Sequence, residues 1–175
     1  GRGEAVPEMM RDEARTARHE TGSLGRDGLL AQALAKANME AAWKRVKSNR
    51  GSAGADGLSI AETADYLRAH WPRIRGSLLD GSYRPAPVRR VQIPKPDGGV
   101  RELGIPTVTD RLIQQALLQV LQPRIDPTFS EHSYGFRPGR RAHDAVLEAQ
   151  RYVQDGSRVV VDVDLEKFFD RVNHD

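Results

Sequence analysis

Asp162 and Asp164 stand one residue apart in the run VVVDVDL, Val159 to Leu165. Side chains alternate along a strand, so Val160, Asp162 and Asp164 share one face. Val159, Val161, Val163 and Leu165 share the other and can pack on helices. Two carboxylates on one face near a strand end can hold a hard cation such as Mg²⁺. Magnesium takes few protein ligands and leaves positions for substrate phosphates, which suits phosphoryl transfer.

A D-x-D pair has other uses. It can be a solvated strand end, or part of a sugar-nucleotide transferase. In an aspartate-nucleophile phosphatase Asp162 would attack and Asp164 would serve as the acid. Such phosphatases usually place threonine or valine and a small turn after the second aspartate. Here LEKFF follows, and its aromatic pair fits a pocket wall better.

A second candidate constellation is cationic. YRPAPVRRVQIPK alternates, PDGG is a turn signal and VRELGIP leads back, so residues 83–108 read as a β-hairpin. Val91, Ile93 and Lys95 share one face of the first arm; Arg101, Leu103 and Ile105 share one face of the second. With both apolar sets turned inward, Lys95 and Arg101 flank the turn on the inner face and can clamp a polyphosphate. The competing reading is an exposed hairpin whose cations guard its edges.

The loop SYGFRPGRRAHD packs Arg137, Arg140 and Arg141 into five residues beside Tyr134 and Phe136. Cations interleaved with aromatics suit a nucleic-acid backbone and its bases. The competing reading is a connector with Tyr134 and Phe136 in the core. His143 has no serine or cysteine nucleophile placed for it and reads as a helix-start residue.

The elements that must position these groups follow from periodicity. Residues 1–28 are polar, charged and glycine-rich and read as a flexible arm. Residues 29–82 read as helical, with Leu30, Leu34, Ala37, Ala41 and Val46 at roughly helical spacing. NRGSAGADG, Asn49 to Gly57, breaks the pattern. Two further helices are expected, IAETADYLRAHW and PRIRGSLLDG, with Pro72 in a first turn. Within 83–155 the hairpin is followed by DRLIQQALLQVLQPRI capped by Thr109, and by AHDAVLEAQRYVQD. Residues 156–175 supply the strand 158–165 and the start of a helix.

The 175 residues are 38% hydrophobic and 29% charged, enough for a real core. No cysteine is present, which excludes disulfides, thiolate metal sites and cysteine nucleophiles. No apolar run reaches the ~20 residues that span a bilayer, so no membrane partner is expected. Net charge is +3 and 22 of 27 basic residues are arginine, the better bidentate phosphate ligand. Codon usage in a GC-rich genome is the competing explanation.

Together the pieces resemble the N-terminal part of a bacterial group II intron reverse transcriptase, or maturase. Four stretches occur in that family's order: GADGLSI, RRVQIPKPDGGVRELGIPTVTDRLIQQAL, FSEHSYGFRPGRRAHDA and VVVDVDLEKFFDRVNHD. The resemblance covers residues 29–175. It implies an α/β fold similar to the fingers and partial palm of a right-hand polymerase: a helical N-terminal part, a β-hairpin and an incomplete palm sheet. It implies that Lys95 and Arg101 grip a deoxynucleoside triphosphate. Asp164 and the carbonyl of Leu165 would bind Mg²⁺, with Asp162 a further candidate. Phe169 would stack under the sugar and exclude a 2′-hydroxyl. Asn49, Arg50 and Gly51 would lie over the template, the glycines allowing close approach to phosphates. The implied partners are an RNA template, a DNA primer and group II intron RNA, in the bacterial cytoplasm, with or without association with the nucleoid.

The family's second carboxylate pair sits in an aromatic-x-Asp-Asp turn, and no such motif occurs in these 175 residues. The stretch therefore reads as a fragment cut inside the palm and inactive alone, its valine-rich strand lacking neighbours. An RNA-binding maturase module without polymerase activity, and a CRISPR-associated reverse transcriptase, are the alternatives.

Overall fold

The computed structural model describes residues 26–96, 98–165 and 168–171. The arm assigned to 1–28 lies outside them up to position 25. From Arg26 the chain is helical. The chain divides between Pro127 and Thr128 into two compact units.

The first unit is a four-helix cluster carrying a β-hairpin. Its helices are α1 (Arg26–Ala33), α2 (Lys36–Ser48), α3 (Ile60–Leu79) and α4 (Val108–Ile125). The long helix expected from Leu30 onwards is broken at Leu34 and Ala35. Ala35 is extended (ψ 141°) and the Asn38 side-chain amide donates to the Ala33 carbonyl at 2.8 Å, closing the end of α1. The break resets the helical phase. Met39, Ala42, Trp43 and Val46 are therefore the buried face of α2, while Ala37 and Ala41 are exposed. The same Asn38 amide donates to the Ala116 carbonyl at 3.0 Å, and Gln119 on α4 donates to the Asn38 side-chain oxygen at 2.7 Å. One asparagine thus ties α1, α2 and α4.

Residues 60–79 form one helix where two were expected. A proline in a helix interior removes a hydrogen bond to the residue four positions back. Pro72 is exposed, so water can take the freed carbonyl, and the apolar stripe Leu67, Trp71, Ile74 runs past it into the core. At the start of α3, Ser59 and Glu62 form a reciprocal capping box. The Ser59 hydroxyl and N–H hold the Glu62 carboxyl below its ordinary pKa. The core joins Leu34, Met39 and Trp43 to Leu67, Trp71 and Ile74, and to Val108, Leu112 and Ile113 of α4.

The hairpin pairs β1 (Arg89–Pro94) with β2 (Val100–Ile105) antiparallel, Val91 opposite Leu103 and Ile93 opposite Arg101. The turn closes with the Lys95 N–H donating to the Gly99 carbonyl at 2.7 Å and the Gly98 N–H to Lys95 at 3.1 Å. Gly98 has φ +85°, a conformation that favours glycine. β2 passes through Pro106 into α4, whose N-cap is Thr107, not Thr109: its hydroxyl accepts from the Asp110 N–H at 3.1 Å.

The second unit holds α5 (Ala142–Gln154) and α6 (Phe168–Arg171). The strand expected at 158–165 is not formed: these residues carry no ladder, and Val159 to Val161 are at least 80% exposed. A strand needs a partner for its backbone groups, and among the described residues the only sheet is the two-stranded hairpin. α5 is strongly amphipathic, with Val146, Leu147 and Val153 exposed.

Candidate nucleotide and nucleic-acid site

The hairpin register places Lys95 and Arg101 on one face. Opposed residues of an antiparallel pair share a face, and so do positions two apart on one strand. Arg101 faces Ile93, and Lys95 follows Ile93 by two. Both cations line one hollow at the tip with Ile93, Pro94 and Pro96. Neither has an ion-pair partner among the described residues, whereas Arg90 on the opposite face lies 3.9 Å from Glu102. The apolar set beside them is not packed: Ile93 and Leu103 are 36% and 43% exposed, while Val91 and Ile105 are half-buried. Every other residue of the two strands is exposed.

Its base is held by a buried carboxylate. Asp110 is 4% exposed. It accepts from the Tyr83 hydroxyl at 2.7 Å, from the Thr107 hydroxyl at 2.6 Å and from the Ala86 N–H at 3.3 Å. Burial, then the bond to Asp110, push the Tyr83 hydroxyl well above the ordinary tyrosine range. The segment leading into β1 and the cap of α4 are thereby fixed to one side chain. Sequence reasoning missed Asp110. The signal available was the TVTD pattern at a helix start, where threonine caps and an acidic third position is favoured.

Asn49 is the C-cap of α2, and Arg50 follows with φ 48°. Only two described non-glycine residues have positive φ, Arg50 and Phe136. Such residues carry local strain, and strain clusters at functional loops. Gly51 and Gly54 have a tighter reason to be glycine than an approaching phosphate. A Cβ at Gly51 would displace the flexible end of Arg111, which holds the Ser52 carbonyl. A Cβ at Gly54 would lie 2.5 Å from the Thr107 Cα. Arg111 also donates to the Ser52 carbonyl at 2.6 Å, and Arg89 Nε donates to the Ala53 carbonyl at 3.1 Å. Asn49, Gly51 and Arg111 share a groove with Gln114, Gln115 and Leu118 of α4.

In the second unit the three loop arginines do different work. Arg137 donates to the Ser130 carbonyl at 2.7 Å and the Ser133 carbonyl at 3.0 Å, and sits over the Phe129 ring. Arg140 donates to the Glu131 carbonyl and sits over the Tyr134 ring. Both brace the loop. Arg141 is the N-cap of α5, with its guanidinium exposed and 3.9 Å from Asp144. Tyr134 is half-buried and Phe136 is wholly exposed, so the aromatics do not form a shared core.

Asp162 and Asp164 are exposed, and the Leu165 N–H donates to Asp164 Oδ1 at 2.9 Å. The donor types, two carboxylates and a main-chain carbonyl, are the hard oxygens that Mg²⁺ takes. Among the described residues no third acidic or histidine side chain joins them. Phe169 lies in α6, and its side chain is outside the described residues.

Residues 93–175 match the family model for reverse transcriptase, RNA-dependent DNA polymerase. Over 125 residues the chain is 38% identical to protein YkfC of Escherichia coli K12, covering 69% of this chain and 33% of that protein. Over 135 residues it is 39% identical to group II intron-encoded protein LtrA of Lactococcus lactis, covering 76% and 22%. A putative COX1/OXI3 intron 1 protein of Saccharomyces cerevisiae is 33% identical over 135 residues, covering 77% and 16%. The chain spans a third or less of these curated relatives. On these matches, and on the four motifs in order, the chain is similar to reverse transcriptases, a group II intron-encoded protein among them.

Proposed function

We propose that this chain supplies the fingers and the first metal-binding segment of an RNA-directed DNA polymerase that serves a group II intron. The observation that carries the proposal is the hairpin tip, where Lys95 and Arg101 share a face without an ion-pair partner among the described residues. Two cations so placed can take the β- and γ-phosphates of a deoxynucleoside triphosphate by charge-assisted hydrogen bonds. Holding the triphosphate there fixes the α-phosphate for in-line attack by a primer 3′-hydroxyl, and positioning of that kind is a large share of catalysis.

Asp164, the Leu165 carbonyl and Asp162 are the residues that would hold Mg²⁺. When bound, that ion supplies the positive charge that nucleotidyl transfer requires. Phe169 is assigned to the sugar, where a bulky ring excludes a 2′-hydroxyl. Asn49, Arg50 and Gly51 are assigned to the template strand, and Arg141, with the loop that Arg137 and Arg140 brace, to RNA.

RNA-templated primer extension by the full-length gene product tests the proposal. Extension with deoxynucleotides, lost on chelation and in Asp164→Ala, supports it. Extension that survives Asp164→Ala would remove Asp164 from the site. Salt-sensitive RNA binding with no extension would leave an RNA-binding module instead.

A further inference from the structure

The glycine loop at 51–54 is fastened from two sides, and both fastenings belong to elements that frame the hairpin. Arg111 on the first turn of α4 holds the Ser52 carbonyl at 2.6 Å. Arg89, the first residue of β1, holds the Ala53 carbonyl at 3.1 Å. Gly54 lies against the Pro106 and Thr107 backbone, which connects β2 to α4. The loop therefore touches the hairpin at the entry of one strand and the exit of the other. Arg89 also shares its face with Lys95, since positions 89, 91, 93 and 95 alternate in phase.

We propose that Arg111 and Gly54 are positioning residues that lock the 49–57 loop and the Lys95–Arg101 hairpin into one frame, so that template and nucleotide are registered against each other. The inference rests on the polymerase function proposed above. Neither residue needs to touch the nucleotide. Arg111 acts through Ser52 and through the space beside Gly51, and Gly54 acts by admitting the backbone of Thr107. A loop that moves with the hairpin makes occupancy of one site felt at the other, a coupling worth about 5–150-fold in affinity between linked sites.

The test uses the full-length gene product and measures nucleotide KM, kcat and template Kd separately. Arg111→Ala is expected to raise nucleotide KM about fivefold, with kcat nearly unchanged, although Arg111 lies outside the hairpin. A size swap adds a signature that general destabilisation does not mimic. Gly51→Ala alone displaces the Arg111 guanidinium from its place at Ser52. Placed on Arg111→Ala, it meets open space, so its own penalty should largely vanish. Amide exchange at Ser52 to Gly54 in the free protein should quicken in Arg111→Ala, and Gly54→Ala should reproduce the KM effect if it folds. A rise in template Kd with nucleotide KM unchanged in Arg111→Ala would overturn the coupling. So would a Gly51→Ala penalty that is the same in both backgrounds. Lys95→Ala in parallel separates the two claims: an unaffected nucleotide KM there removes the clamp, and an affected one with Arg111→Ala silent removes only the coupling.

Discussion

The Tyr83 hydroxyl donates to the Asp110 carboxylate at 2.7 Å, across 27 positions of sequence. This bond joins the lead-in of the hairpin to the first turn of the helix that follows it. Asp110 is buried and takes two further donors, from Thr107 and Ala86. Tyr83→Phe removes one donor from a buried carboxylate that keeps the others. The expected loss is about 1–2 kcal/mol in a denaturant titration. The pH dependence has a definite sign. The folded state holds the Tyr83 proton more tightly than the unfolded chain does. Stability from this group is therefore full below the unfolded tyrosine pKa of about 10 and declines as pH rises beyond it. Tyr83→Phe should flatten that alkaline decline.

Asn38 carries an analogous load in the helical cluster. Its amide and side-chain oxygen reach Ala33, Ala116 and Gln119. Asn38→Ala leaves the Ala116 carbonyl and the Gln119 amide without that partner. Its cost should be about 1–3 kcal/mol by thermal or chemical unfolding. Asn38→Asp should cost a comparable amount, because it keeps the acceptor for Gln119 and loses the donor to both carbonyls.

The three loop arginines should separate in an RNA-binding titration against salt. Arg141→Ala removes an exposed cation and should lower the salt slope by about one. Arg137→Ala removes a brace on the Ser130 and Ser133 carbonyls. Its expected signature is faster proteolysis or amide exchange across 130–137. Identical salt slopes for wild type and Arg141→Ala would remove Arg141 from the RNA contact.

Purified residues 1–175 should show no primer extension with Mg²⁺ and deoxynucleotides, because they contain no aromatic-x-Asp-Asp pair to join Asp164. Robust extension that vanishes in Asp164→Ala would show that these residues hold a complete metal site.

Much of the hairpin was legible in the sequence. Period-two alternation and the PDGG turn fix which residues share a face, so the Lys95 and Arg101 placement follows from local pattern alone. The helices were legible as segments and less so as boundaries. Leu34–Ala35 looks helical by periodicity, yet Asn38 caps the carbonyl of Ala33 and the chain restarts in a new phase. Pro72 read as a helix start because proline favours first turns, but its exposed position lets one helix run through it. The strand at 158–165 depends on partners distant in sequence, and valine content alone cannot supply them. The tertiary contacts of the candidate site were not legible. Gly51 and Gly54 are explained by Arg111 and Thr107, more than 50 positions away, and no local pattern announces such a contact.

The most direct test of the central claim is nucleotide KM against template Kd for Lys95→Ala and Arg101→Ala in the full-length gene product. A nucleotide clamp predicts a rise in nucleotide KM of about tenfold or more for each, the scale of one charge-assisted hydrogen bond, with template affinity nearly unchanged. Equal losses in both quantities, or a loss in template affinity alone, would contradict it and make the hairpin tip a nucleic-acid contact.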